Sequence, residues 1–165
     1  MPQFLRFARP ADLDVLLPVF WIGFNVAMFP ASVLTARWGG LSVIAGAALL
    51  GSAGLQLAVM ADGVATLIVA QTIAGAAWGA IMMSGVSAAL ALGTGGDQGR
   101  MVGALFSALA LATIVRMGCV AGGLAADPAY ADGLARTPPA TWLIGAAVLL
   151  VLLGIAAKRR PAPIT

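Results

Sequence analysis

Arg116 lies in a stretch from Met101 to Ala126 that holds no other charged residue. A guanidinium stays protonated and offers a fork of donors with no acceptor. In apolar surroundings it therefore binds an anion, pairs with an acid or reaches for water. The amides of Asn25 and Gln71 stand in similar runs. Each can hydrogen-bond a polar solute or another helix, the latter worth about 0.6 kcal/mol. Trp21 and Trp78 add large rings with one donor each, suited to packing or to lining a cavity.

Covalent chemistry finds no support elsewhere in the chain. Histidine is absent and Cys119 is the only cysteine, so neither a disulfide within the chain nor a His/Cys metal site can form. None of the six acidic residues lies in the interior of an apolar run, which leaves no buried carboxylate to carry a proton. The turn Gly93-Thr94-Gly95-Gly96 is followed by Asp97 and lacks the Lys-Ser/Thr pair of a phosphate-cradling loop. An enzyme, a cofactor and a metal are all unexpected.

The elements that must position these side chains are read from composition. Of 165 residues 61% are hydrophobic and 9% charged, against about 25% charged in an ordinary globular domain. The net charge of +3 comes from nine scattered Lys and Arg residues, which describes loop charges at a membrane surface and excludes nucleic-acid binding. Five runs come close to or exceed the roughly 20 residues that a helix needs to cross a bilayer. They cover about 13–36, 41–61, 64–92, 101–126 and 140–157, with Asp127–Pro139 as the longest loop. The fold class is all-α integral membrane, one transmembrane helical domain over 1–165, with the lipid bilayer as its first partner. Arg6 and Arg9 ahead of the first run resemble a signal peptide. That run is too long, and Arg37-Trp38-Gly39-Gly40 is no small-residue cleavage site.

Charge orients the bundle. Arg37, Arg100, Lys158, Arg159 and Arg160 fall on one side, and Arg6, Arg9 and Arg136 on the other. Cytoplasmic loops keep the positive excess, so the first set is expected in the cytoplasm, with an outside amino terminus. The small-xxx-small pairs Gly75/Gly79 and Gly118/Gly122 let helix backbones approach closely, and Ala47, Gly51 and Gly54 add to this on the second span. Trp38 and Trp142 fall at expected interfaces as belt residues.

The run Ser32-Val33-Leu34-Thr35-Ala36-Arg37-Trp38-Gly39-Gly40 resembles the loop motif of the major facilitator superfamily, G-x-L-A-D-R-x-G-R-R. Leu34, Arg37 and Gly39 match; Ser32 replaces the leading Gly, and Ala36 replaces the Asp. Gln71-Thr72-Ile73-Ala74-Gly75-Ala76-Ala77 is similar to the family's R-x-x-Q-G-x-x-A pattern, with Gln71 at the Arg position. Gly118-Cys119-Val120-Ala121-Gly122-Gly123 is similar to the glycine-rich motif of its fifth helix, without the proline. The resemblance implies helices eight to twelve of a twelve-helix transporter, a partial half-bundle whose partner is an amino-terminal half or a second copy.

It further implies a secondary-active permease in the cell (inner) membrane, with a cytoplasmic carboxyl terminus, that moves a small solute by alternating access. The first, third and fourth spans would line the solute cavity, and the second and fifth would face lipid. Arg116, Asn25, Gln71 and Trp78 are then the solute-binding candidates, and Arg37 and Gly39 the gating loop. For Arg116 the plainer reading is snorkelling towards Asp127 or the Asp12/Asp14 end of the first span. A small membrane subunit that packs helices and transports nothing is the alternative function. Reporter fusions test the topology: tags at Arg6 and Asp132 should read as external, and tags at Gly95 and the carboxyl terminus as cytoplasmic. Two ends on one side would sink it.

Overall fold

The computed structural model describes residues 4–93, 95–124 and 127–158. Arg159 and Arg160, and the Ala126 end expected for the fourth span, lie outside the described residues. After two 3-10 turns, Phe4–Arg6 and Pro10–Asp12, come α1 (Leu13–Leu16), α2 (Pro18–Trp38), α3 (Gly40–Val59), α4 (Val64–Leu92), α5 (Gln98–Ala121) and α6 (Pro128–Lys158). Among the described residues there is no strand, and five helical stretches are long and apolar enough to cross a membrane.

Sequence chemistry explains the joints. Pro18 has no N–H to give to the Asp14 carbonyl, so α1 and α2 meet at a break around Leu17 within one apolar stretch. At the other end of α2, Gly39 takes φ +82° and its N–H donates to the Thr35 carbonyl at 2.9 Å. A side chain would resist that conformation, and it allows α3 to begin at the next residue. The expected gating loop is therefore a one-residue link, with Arg37 and Trp38 still helical and exposed.

Helix α5 ends earlier than expected, at Ala121 and not Ala126. Gly123 at φ +76° donates its N–H to the Val120 carbonyl (3.1 Å), and the Leu124 N–H reaches the Cys119 carbonyl (3.1 Å). That is the Schellman closure of a helix, and it needs glycine at this place.

The expected loop Asp127–Pro139 is helical instead. Asp127-Pro128 has the residue types that favour a helix start, and Pro128 is the first residue of α6. Pro138 and Pro139 remove the N–H groups that the Leu134 and Ala135 carbonyls would accept from. The helix nevertheless runs through both prolines, and beside them the Ser52 hydroxyl of α3 donates to the Pro139 carbonyl at 2.7 Å.

Packing centres on α4. It lies parallel to α2, since Gly75 meets Phe20, Gly79 meets Phe24, and the Thr35 and Ser84 hydroxyls bond at 2.7 Å. It runs antiparallel to α3, since Gly54 meets Ala74 and Gly40 meets Ala88. Helix α6 packs mainly on α3 and meets α4 through Trp142 and Trp78, and α5 packs mainly on α4. A Cβ added at Gly23, Gly75 or Gly79 would collide with the carbonyls of Thr72, Phe20 or Phe24 respectively, so the α2 and α4 backbones are in direct contact. The interior is correspondingly built from Ala45, Ala70, Ala74 and Ala77, while Ile22, Val26, Phe29 and Ile114 face outward. At the end of the bundle near Asp62, Phe4 and Leu16 fold over Ala58, Ala61, Leu67 and Ala70 and close it.

One expectation about cover needs correction. The second span is expected to face lipid, yet α3 packs against both α4 and α6 and buries Val43, Ala45, Ala47, Ala48, Gly51, Gly54 and Ala58. Gly118 and Gly122, the packing pair expected on the fourth span, meet no other helix among the described residues: Gly118 has open space around it, and Gly122 meets only its own helix. Gly79→Leu should therefore lower stability in detergent by about 1–3 kcal/mol through overpacking, whereas Gly118→Leu should leave unfolding unchanged. Equal effects from the two would refute this packing.

Candidate functional site

The hydroxyls that might have lined a cavity mostly close onto their own helices. Thr72 donates to the Ile68 carbonyl (2.8 Å), Ser87 to Met83 (2.9 Å) and Thr113 to Leu109 (2.9 Å). The Asn25 amide donates to the Trp21 carbonyl at 2.7 Å on an exposed face of α2, away from the α4 contact. Ser84, on a helix expected to line the cavity, is fully buried and bonded to Thr35. It ties α2 to α4 and is closed to solute.

The other candidates share a region. Gln71, Trp78 and Gly85 recur at seven-residue intervals, about two helical turns, and so form one stripe of α4. At its lower end a Cβ on Gly85 would sit 3.8 Å from Leu105 of α5. Further up, Trp78 meets Trp142 of α6, with ring centroids 6.1 Å apart and planes tilted by 36°. The stripe thus lies between α5 and α6, which do not pack appreciably on each other.

On α5, Leu105, Leu109, Ala112 and Arg116 also share a face by helical spacing. Arg116 follows Leu105 by about 16 Å along the axis, and α5 runs antiparallel to α4, so Arg116 comes level with Ala74. Helical rise alone gives that height as one between Gln71 and Trp78, but Arg116 makes no hydrogen bond, ion pair or ring contact with either among the described residues, and Asn25 stands on an exposed face of α2.

Arg116 itself is exposed, and among the described residues it has neither a hydrogen bond nor an ion pair. The one ion pair among them joins Arg9 to Asp12 at 3.4 Å, outside the apolar stretches. Gln71 is half-buried and has a partner of its own.

Trp142, expected as a belt residue, lies five residues into the apolar stretch Thr137–Ile155 and packs against Gly51 and Trp78. The spacing of Gly51 from the small residues around it marked a close approach but not its occupant.

Two open grooves exist among the described residues. One of about 380 Å³ is lined by Phe7, Asp12, Leu16 and Val64 among others, and one of about 460 Å³ by Leu49, Ser52, Gln56 and Pro139 among others. No solute candidate lines either. If Ser84 acts as a tie between helices, Ser84→Ala should cost about 0.6 kcal/mol of stability and leave any solute affinity unaltered; a changed affinity would return it to the site. Compared with known protein families, curated proteins and solved structures, the chain matches none.

Proposed function

We propose that this chain is the part of a major-facilitator-type secondary transporter that corresponds to helices eight to twelve. In this reading it moves a small solute by alternating access, with its carboxyl terminus in the cytoplasm. The observation that carries the reading is Arg116. It lies within the apolar helix α5, exposed and with no acid beside it among the described residues. A charge at membrane depth costs about 2.5 kcal/mol or more unless it meets water or an anion, and a solute path supplies both.

Further support comes from α5, whose surface is left uncovered by the rest of the chain. An amino-terminal half-bundle or a second copy would complete the cavity wall there. The link at Gly39, with Arg37 exposed beside it, suits a gate that bends at one residue. Ala36 stands where the family's loop has its acid, so Arg37 must find its gating partner elsewhere.

The competing reading, a small membrane subunit that transports nothing, draws on the hydroxyl pattern. Groups that already donate to their own helix carbonyls do not require a solute.

Uptake measured in cells expressing the protein separates the two readings. Arg116→Gln should lower anion uptake by about tenfold or more, a loss of about 1.4 kcal/mol or more in binding, and Arg116→Lys should retain most of it. Unchanged uptake in both variants would end the transporter reading of this residue. A defined oligomer that moves no anion, sugar or amino acid would favour the subunit.

A further inference from the structure

We infer that the groove between α3 and α6 is a site for one acyl chain of a glycerolipid, held by a hydrogen bond from the Gln56 amide to the lipid's ester carbonyl. This does not depend on the transport reading above. Three amides stand inside the candidate spans beyond their first turns: Asn25, Gln56 and Gln71. Asn25 donates to the Trp21 carbonyl, and Gln71 has a partner of its own. Gln56 is exposed and has no hydrogen-bond partner among the described residues. An amide left unpaired against hydrocarbon is costly, so its surroundings must supply the missing group.

The groove that Gln56 lines, about 460 Å³ in volume, grades from polar to apolar along its length. Helix α6 follows α3 by three crossings and so runs antiparallel to it, in line with Gly51 meeting Trp142 and Ser52 bonding to Pro139. Gln56 lies three residues, about 4.5 Å, from the end of α3 at Val59, beside the turn that carries Asp62. Leu49 lies about 10 Å deeper on α3, and Leu143 lies deeper than Pro139 on α6. Ser52 has spent its donor on the Pro139 carbonyl, which leaves the Gln56 amide as the free donor at the polar end.

Each feature selects part of a ligand. A helix of 20 residues matches the roughly 30 Å of the hydrocarbon core, so the end of α3 coincides with the level at which acyl chains give way to ester groups. An ester carbonyl there accepts from Gln56, and the chain attached to it runs past Ala53 towards Leu49 and Leu143. None of the residues lining the groove is charged, so nothing in it singles out a phosphate or an ionised headgroup. A sugar would bring more polar groups than the groove can pair, and a plain hydrocarbon would leave Gln56 unpaired.

The test uses the purified full-length chain in detergent. It is titrated with dioleoyl phosphatidylcholine and with the dialkyl ether lipid of the same chains and headgroup, and native mass spectrometry reads the lipids retained. The wild type should hold one lipid more tightly than the rest and prefer ester to ether by about threefold, the worth of one hydrogen bond in a bilayer. Gln56→Met keeps the length of the side chain and removes the amide, and it should bind the two lipids equally. Ala53→Phe fills the groove below Gln56 and should lose the tight lipid. Dioleoyl phosphatidylglycerol should bind as phosphatidylcholine does. Circular dichroism and gel filtration identify variants that fold, and Gln56→Met, at an exposed position, carries the test if Ala53→Phe does not.

An ester preference that survives Gln56→Met, or no such preference in the wild type, would overturn the hydrogen bond and the site with it. A tight lipid retained by folded Ala53→Phe would place that lipid outside this groove. Phosphatidylglycerol held far more tightly than phosphatidylcholine would show recognition of headgroup charge and overturn the ester assignment. None of these readouts involves Arg116, so their failure is distinct from failure of the uptake experiment.

Discussion

The bundle depends on the backbone contact between α2 and α4. Between apolar helices in a bilayer, lipid is as good a solvent as another helix, so association rests on close van der Waals contact and on hydrogen bonds. Gly23 on one helix and Gly75 and Gly79 on the other remove the side chains that would hold the two apart, and carbonyl oxygens take their place. A single larger side chain at any of these positions acts on the whole crossing. The two helices run parallel, so they cannot be joined by a short turn, and α3 must return the chain between them.

From that contact the remaining order follows. With α4 fixed on α2, the link at Gly39 and the short turn before Val64 press α3 against α4, where Gly40 and Gly54 repeat the device. Gly51 then leaves room for an indole, and Trp142 brings α6 onto α3 and within reach of Trp78 on α4. The large aliphatic side chains turn outward because they gain nothing by leaving lipid. Most hydroxyls spend their donors on carbonyls about one turn back and Thr66 on the Asp62 carboxylate, while two bonds, Thr35–Ser84 and Ser52–Pro139, cross between helices. Those two bonds join α2 to α4 and α3 to α6, the pairs that α3's position alone does not tie together by short connections.

Composition and run length carried most of the architecture. Length and apolarity are what a helix needs to span lipid, and the helix starts at Gly40 and Val64 fell within a residue of the sequence estimate. What could not be read were features that depend on neighbours. Pro138 and Pro139 look like helix breakers, yet α6 runs through both, packed along α3. Gly75/Gly79 and Gly118/Gly122 have the same spacing, yet only the first pair faces a backbone, because Gly122 and Gly123 are engaged in ending α5. Of the site, the residue types were legible. The antiparallel contact of Leu105 with Gly85 and the remoteness of Asn25 from the α4 face required the helix crossings themselves.

The loose seating of α5 has a physical cause in its own stripe. Where the helix meets α4 it presents Leu105 to Gly85, an apolar contact of ordinary closeness. Eleven residues on, the same stripe carries Arg116, exposed and without an acid beside it among the described residues. The desolvation of an unpaired charge exceeds what a few Ala and Leu contacts return, so packing Arg116 against an apolar helix face would cost more than it gained, and α5 buries none of its residues.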